Sequence, residues 1–356
     1  MTAEIAIKSD QCVSDFLKKY KRHPGSVTFL KGDMGSRRFF RLIYTDHTSE
    51  ILMISSSPDH IHFAPGHSQD DFVRINQQLI NIGLNAPEIF AEDKDKGFLL
   101  VQDFGDLTFR DAVHHGYSEK DLFSSAVNVL KKFPDMPVQG LPDFLSSHIM
   151  KGHRRFVDWY CPAVLNSKVS DSIIESFLES WNDVLRALPA PRSGFVHVDC
   201  HTQNLMVLQN EDLSGFDTGL LDFQGAMVGP FAYDAANLLQ DARLDLSADL
   251  RNYLYDKITG DFSVREKESF DLWYQALSCQ FHFRVIGQFI KIACEKGDAS
   301  YLSHLPRLLQ YIKTNLSAYD VMWPVQKWVS DAGIKLVNPD LSDIQYIRTL
   351  IRDDAF

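Results

Sequence analysis

Four residues stand at a spacing that can do chemistry. His197, Asp199 and Asn204 form the pattern H-x-D-x-x-x-x-N, and Asp222 ends the apolar run Gly219-Leu-Leu-Asp222-Phe223, eighteen residues after Asn204. Phosphoryl transfer needs these types together. A carboxylate within hydrogen-bond reach of an acceptor hydroxyl orients it and takes its proton, and Asp199 fits that role. ATP arrives with magnesium, a hard cation that wants oxygen ligands. Asn204 offers a neutral oxygen and Asp222 a charged one. An asparagine five residues beyond the base and an aspartate on the next hairpin strand can serve the phosphates while the base faces the acceptor. His197 is expected to brace the loop rather than to transfer a proton, because geometry and not residue type decides acid–base roles.

Taken singly, each residue is ordinary: an Asp or Asn in a loop usually makes a turn or a cap. The combination of order, spacing and flanking apolar strands is what carries the reading. The segment HVDCH also admits a different class, a metal-dependent hydrolase with His197, Asp199 and His201 as ligands. That reading leaves the spacing of Asn204 and Asp222 unexplained.

The elements that must position these residues follow from periodicity. Residues 10–22 form an amphipathic helix. Val27–Leu30, Arg38–Tyr44 and Ile51–Ser55 are strand-like and separated by turn-length loops, which predicts a three-strand antiparallel meander. Gly32 and Gly35 lie in the first of those loops. Apolar residues at Phe72, Ile75, Leu79 and Ile82 predict a helix over 69–82, and Pro87–Phe90 and Phe98–Val101 two more strands. Beyond Gly105 the pattern is helical over 107–115, 118–133, 142–160 and 168–187. It turns strand-rich from Phe195 to Phe223 and is helical again at 266–296 and 299–317. The shift near residue 104 predicts a small mixed domain over 1–104 and a larger, mainly helical one over 105–356. The fold class expected is α+β.

The chain has 356 residues, enough for two such domains. A net charge of −11 makes it a poor candidate for nucleic-acid binding, which needs a basic footprint. It leaves a neutral or cationic small substrate open. Five scattered cysteines without a CxxC argue against a disulfide scaffold or a zinc knuckle. No signal peptide and no membrane-length apolar run is read, so the cytoplasm is the expected compartment and no membrane partner is expected. Oligomeric state is not legible.

The stretches HVDCHTQNLM and GLLDFQGAMVGPFAYDAANLL resemble the aminoglycoside phosphotransferase and choline kinase superfamily, which shares the protein-kinase-like fold. SRRFFR at 36–41, FVRINQQL at 72–79, GFLLVQDFGDLTF at 97–109, QFHFRVIGQF at 280–289 and GDASYLSHLPRLLQYI at 297–312 are similar to bacterial anomeric kinases of N-acetylmuramate and N-acetylglucosamine. The resemblance implies a two-lobed α+β fold with an antiparallel sheet in the N-lobe and a helical C-lobe. It implies ATP, Mg2+ and a small-molecule hydroxyl acceptor. Asp199 would be the base and Asn204 and Asp222 the magnesium ligands. His197 and Asp234 would support the loop, although Asp234 also reads as a helix N-terminal residue. Gln102 and Asp103 would lie in the segment that meets adenine. Gly32, Gly35 and Ser36 would cover the phosphates.

The third strand, ILMISS, lacks the lysine many kinases keep there. An arginine from Arg37, Arg38 or Arg41 would replace it; Arg38 and Arg41 are assigned to the nucleotide. Val198, Gly225 and Phe281 also depart from the sugar-kinase pattern, which stands at arginine, an acid and arginine. An aminoglycoside- or choline-type kinase and a nucleotide-binding pseudokinase are the alternatives. A cationic acceptor would call for several acids around it. On α-helical geometry Arg284 and His282 do not share a face, so at most one would meet the acceptor. Trp273, Tyr274 and Phe281 are expected in the core rather than on a sugar ring.

Overall fold

The computed structural model describes residues 10–30, 37–55, 68–209 and 215–355, apart from the side chains of Met150 and Lys151. The glycine-containing loop with Gly32, Gly35 and Ser36 lies outside them. Two compact units are present. One comprises residues 1–118 together with 203–225; the other comprises 119–202 and 226–356. The division is thus discontinuous, where composition suggested a single cut near residue 104.

In the first unit, helix α1 (Gln11–Lys19) is followed by strands β1 (Ser26–Leu30), β2 (Arg38–Ile43) and β3 (Ser49–Ile54), helix α2 (Gln69–Asn81), and strands β4 (Ile89–Asp93) and β5 (Phe98–Gln102). The strands form one antiparallel sheet in the order β1-β2-β3-β5-β4. Alternation puts Phe40, Leu42, Leu52, Ile54 and Leu100 on one face, where they pack on Val13, Phe16 and Leu17 of α1. Arg41 leaves β2 on the opposite face. Helix α2 starts at a capping box: the Ser68 hydroxyl accepts from the Asp71 amide at 3.0 Å, and the Asp71 carboxylate accepts from the Ser68 amide at 3.3 Å. Short helix α3 (Phe109–His114) follows.

The hairpin of β7 (Leu205–Gln209) and β8 (Phe216–Leu220) belongs to this unit although it lies a hundred residues downstream. The backbone explains why: Leu220 N donates to Asn85 O at 2.8 Å and Val207 N to Leu107 O at 2.9 Å. Gly219 is required there, since a Cβ would sit 2.9 Å from the Phe104 ring.

The second unit contains helix α4 (Glu119–Leu130) and a helical run in which π-turns Leu145–Ile149 and Phe156–Tyr160 flank α5 (Met150–Arg155). Helices α6 (Cys161–Leu165) and α7 (Asp171–Ala187) follow. Strand β6 (Ser193–Val196) pairs antiparallel with β9 (Met227–Pro230), and helices α8 (Ala232–Leu239), α9 (Ala248–Thr259) and α10 (Val264–Lys296) complete its centre. Helices α11 (Leu305–Ala318), α12 (Trp323–Asp331) and α13 (Ile344–Leu350) close the chain. Helix α10 is the axis of this core. A Ser263–Glu266 capping box begins it, and Gly297, at φ +69°, ends it. Phe283 on α10 packs edge-on against Phe156 at 4.5 Å. At Gly287 the backbone at the end of α5 comes so close that a Cβ would lie 2.0 Å from Arg155 O. Among the described residues, no helix is long and apolar enough to cross a membrane.

Candidate active site

In the second unit, strand β6 delivers the chain into a loop at residues 197–202 that carboxylates hold at both ends. Asp234, on the first turn of α8, accepts from His197 N at 2.6 Å and Val198 N at 3.0 Å. Its carboxylate serves this loop and does not cap its own helix, so the helix-cap reading of Asp234 gives way to loop support. Asn237, one turn on, donates to Val198 O at 2.8 Å. These bonds hold Val198 at φ +77°, a left-handed conformation costly for a β-branched residue. Asp241, just beyond α8, accepts from Thr202 N at 3.1 Å and from its hydroxyl at 2.5 Å. Between these anchors Asp199 is half-buried.

Charge at the loop follows burial. Burial, with a smaller push from Asp199, raises the Asp234 carboxyl to about 7 against the pull of the two amides. Burial also pushes on Asp241, but the Arg243 guanidinium and the hydrogen bond from Thr202 hold it below the usual range. Burial and Arg243 depress His201 to about 3, leaving it a neutral ring. His197 is fully buried, its ring parallel to Phe133 at 6.3 Å. Among the described residues no group of three His, Cys, Asp or Glu side chains is placed to hold a metal ion, so the hydrolase reading gains no ligand set.

In the first unit, β7 and β8 bring Asn204 and Asp222 to one end of their hairpin. Leu205 pairs with Leu220, and Leu221 N donates to Asn204 O at 2.9 Å, one residue before Asp222. Asp222 takes φ +59°, a region Asp tolerates, and its Oδ1 accepts from Gln224 Nε2 at 2.5 Å. The next residue, Phe223, packs on Phe72 of α2 at 4.9 Å. A carboxylate and a carboxamide at one hairpin end are a donor set suited to magnesium.

The arginines separate cleanly. Arg38 is exposed. Arg41 donates to both Asp103 oxygens, at 2.6 and 3.1 Å, and to Asp106 at 2.8 Å. Asp103 also accepts from the Ser49 hydroxyl and the Gly105 amide. Arg41 and Asp103 therefore tie the 103–106 segment to the sheet, and their side chains are spent on each other. Gln102 is exposed, with its Oε1 accepting from Glu88 N. Arg37 is half-buried, donates to Ser68 O at the start of α2 at 3.2 Å, and stands in the fields of Asp222 and Asp71. Burial lowers its guanidinium and those two acids oppose the shift. Sequence reasoning left Arg37 among three candidates and assigned the other two; the distinguishing contacts are to Asp103 and Asp106, sixty residues away.

On α10, His282 is fully buried, its Nε2 3.1 Å from Gln240 O and its ring stacked on Tyr311 at 4.8 Å. Arg284 lies on the other face and donates to the Tyr233 hydroxyl at 3.1 Å. Trp273, Tyr274 and Phe281 are core residues, as burial habits suggested.

Residues 26–265 match the family model described as the phosphotransferase enzyme family. An N-acetylmuramate/N-acetylglucosamine kinase of Pseudomonas aeruginosa is 30% identical over 301 residues, covering 82% of this chain and 84% of that protein. A kinase of the same name from Neisseria meningitidis is 25% identical over 316 residues, covering 86% and 90%. The fold is shared with a solved aminoglycoside phosphotransferase, at TM-score 0.53 and 13% identity over 84% of this chain and 97% of that one. It is shared too with a choline kinase of Streptococcus pneumoniae, at TM-score 0.54 and 12% identity over 87% and 100%. The chain thus belongs to the phosphotransferase enzyme family, as an ATP-dependent kinase with the protein-kinase-like fold.

Proposed function

We propose that the protein transfers the γ-phosphoryl group of ATP to a hydroxyl of an N-acetylated amino sugar. The observation that carries the chemistry is the loop 197–202, fixed by Asp234 and Asp241 so that Asp199 is presented half-buried. The relatives named for N-acetylmuramate and N-acetylglucosamine support the acceptor class. Asp199 orients the acceptor hydroxyl and takes its proton as the oxygen bonds to the γ-phosphorus and the bond to ADP breaks. Asn204 and Asp222 would hold magnesium, which when bound neutralises charge on the β- and γ-phosphates. The backbone of 102–105 meets adenine, while Asp103 and Arg41 keep that segment in place.

Arg37 takes the phosphate role of the lysine missing from β3. It is the arginine held beside the start of α2 and in the field of Asp222, whereas Arg41 is committed and Arg38 is exposed. A guanidinium keeps its charge when half-buried and offers paired donors to phosphate. Arg37→Ala is expected to lower kcat/KM for ATP roughly 10- to 100-fold, the scale of a lost charge-assisted hydrogen bond. An unchanged value would return the role to another cation.

The function is tested by ATP turnover with a panel of N-acetylated amino sugars, aminoglycosides and choline. Phosphorylation of the sugars is the expected result. Turnover confined to the cationic acceptors would replace the acceptor class, and nucleotide binding without turnover would make the chain a pseudokinase.

A further inference from the structure

Within the second unit, two helical segments cross at small residues, each with an arginine three positions from the crossing, and the charge of Arg284 reaches Arg155. A Cβ on Gly152 would lie 2.9 Å from Arg284 Cδ and 2.9 Å from Gln280 Nε2, and a Cβ on Gly287 would lie against Arg155 O. Arg155 follows Gly152 by three residues on one segment, and Arg284 precedes Gly287 by three on the other. Neither arginine makes an ion pair with a carboxylate among the described residues, although Glu295 and Asp158 act on Arg155 from farther off. Arg155 makes no side-chain hydrogen bond there. Arg284 donates only to the neutral Tyr233 hydroxyl, and its Nε is buried without a partner. Beside it Gln280, 1% exposed, has both carboxamide atoms unpaired.

Such groups are costly to leave unmatched. Two other guanidiniums of this unit show the contrast: Arg154 pairs with Asp158 and Asp354, and Arg243 with Asp241. Burial, followed by the charges of Arg284 and Arg155, holds the His148 ring well below its ordinary value, so it adds no third cation while remaining able to donate or accept. Its Nε2 lies 3.4 Å from the Tyr233 hydroxyl.

The cluster sits next to the reacting loop. Tyr233 adjoins Asp234, whose carboxylate holds the amides of His197 and Val198, and Asp199 follows directly. Asp199 acts electrostatically on the Tyr233 hydroxyl.

We propose that Arg155 and Arg284, with Gln280 and Tyr233 beside them, form a subsite for a carboxylate carried by the acceptor. The inference rests on the amino-sugar reading and narrows it to sugars with an acidic substituent. Two unpaired guanidiniums favour an anion and disfavour the cationic acceptors. N-acetylmuramate differs from N-acetylglucosamine by a lactyl ether that ends in a carboxylate, so this pair of sugars isolates the feature.

The test compares kcat/KM for N-acetylmuramate, its carboxamide and N-acetylglucosamine, in the full-length wild type and in Arg155→Gln, Arg155→Lys and Arg284→Gln. The wild type is expected to favour the acid over the amide by about 10- to 100-fold, in KM. Each glutamine variant is expected to cut that acid-to-amide ratio by about tenfold or more, with the lysine variant intermediate. Equal use of acid and amide by the wild type overturns the subsite and needs no variant to fold. A ratio unmoved in folded variants does so too, as does a rise in KM for ATP shared by every acceptor, which would assign the arginines to the nucleotide. If none of these sugars is phosphorylated while ATP is consumed with another alcohol, the amino-sugar reading falls and carries the subsite with it.

Discussion

Replacing Asp199 with alanine is expected to lower kcat by about 10²–10⁴-fold, the usual loss with a general base. The fold should survive. The loop is fixed through the backbone amides of His197, Val198 and Thr202, none of which depends on the Asp199 side chain. Nucleotide affinity should survive as well, because the proposed phosphate and metal ligands are other residues. A steady-state assay at saturating ATP, with unfolding midpoints for both proteins, separates chemistry from folding. If Asp199→Ala phosphorylates its acceptor at the wild-type rate, Asp199 is not the base.

Asp234→Ala should damage both stability and rate. It removes the acceptor from two buried amides, each costing about 1–3 kcal/mol when unpaired, or roughly 2–6 kcal/mol together. It also releases Val198, held at φ +77°, to relax toward the ordinary β region. Relaxation would swing the following residue, Asp199, away from its half-buried station. Urea unfolding should show the stability loss, and kcat should fall more than KM for either substrate. Asp234→Asn keeps one acceptor oxygen and should fall between wild type and alanine. A variant with normal kcat and lowered stability would confine Asp234 to folding.

The first sheet was legible because each of its strands is a short apolar run bounded by turn residues, and α2 because Phe72, Ile75 and Leu79 repeat at helical spacing. Asn204 and Asp222 could be placed together because the strand texture between them implies a hairpin, and the hairpin ends put them side by side. What the sequence did not show depends on distant partners. Nothing near Arg41 announces that Asp103 and Asp106 will claim it. For Asp234 only the resemblance pointed to the loop; by itself the residue also read as a helix start, because its partners lie 36 and 37 positions earlier. The π-turns around α5 break the simple helical period over 142–160, and the close crossing at Gly287 falls where α5 gives way to the second of them. That Arg155 and Arg284 form no ion pair among the described residues is likewise a property of packing, since Asp158, three residues after Arg155, pairs with Arg154 instead.

The β7–β8 hairpin gives the first unit a timetable as well as a shape. Its sheet is complete once residue 102 has been made, yet Asn85 and Leu107 find their backbone partners only when Leu220 and Val207 exist. At about 5–20 residues per second, the stretch from 118 to 225 occupies a ribosome for roughly 5–20 s. Through that interval the growing chain carries an unfinished first unit while much of the second is being added. The units therefore cannot mature one after the other from the N-terminus, and no single cleavage can release either of them whole.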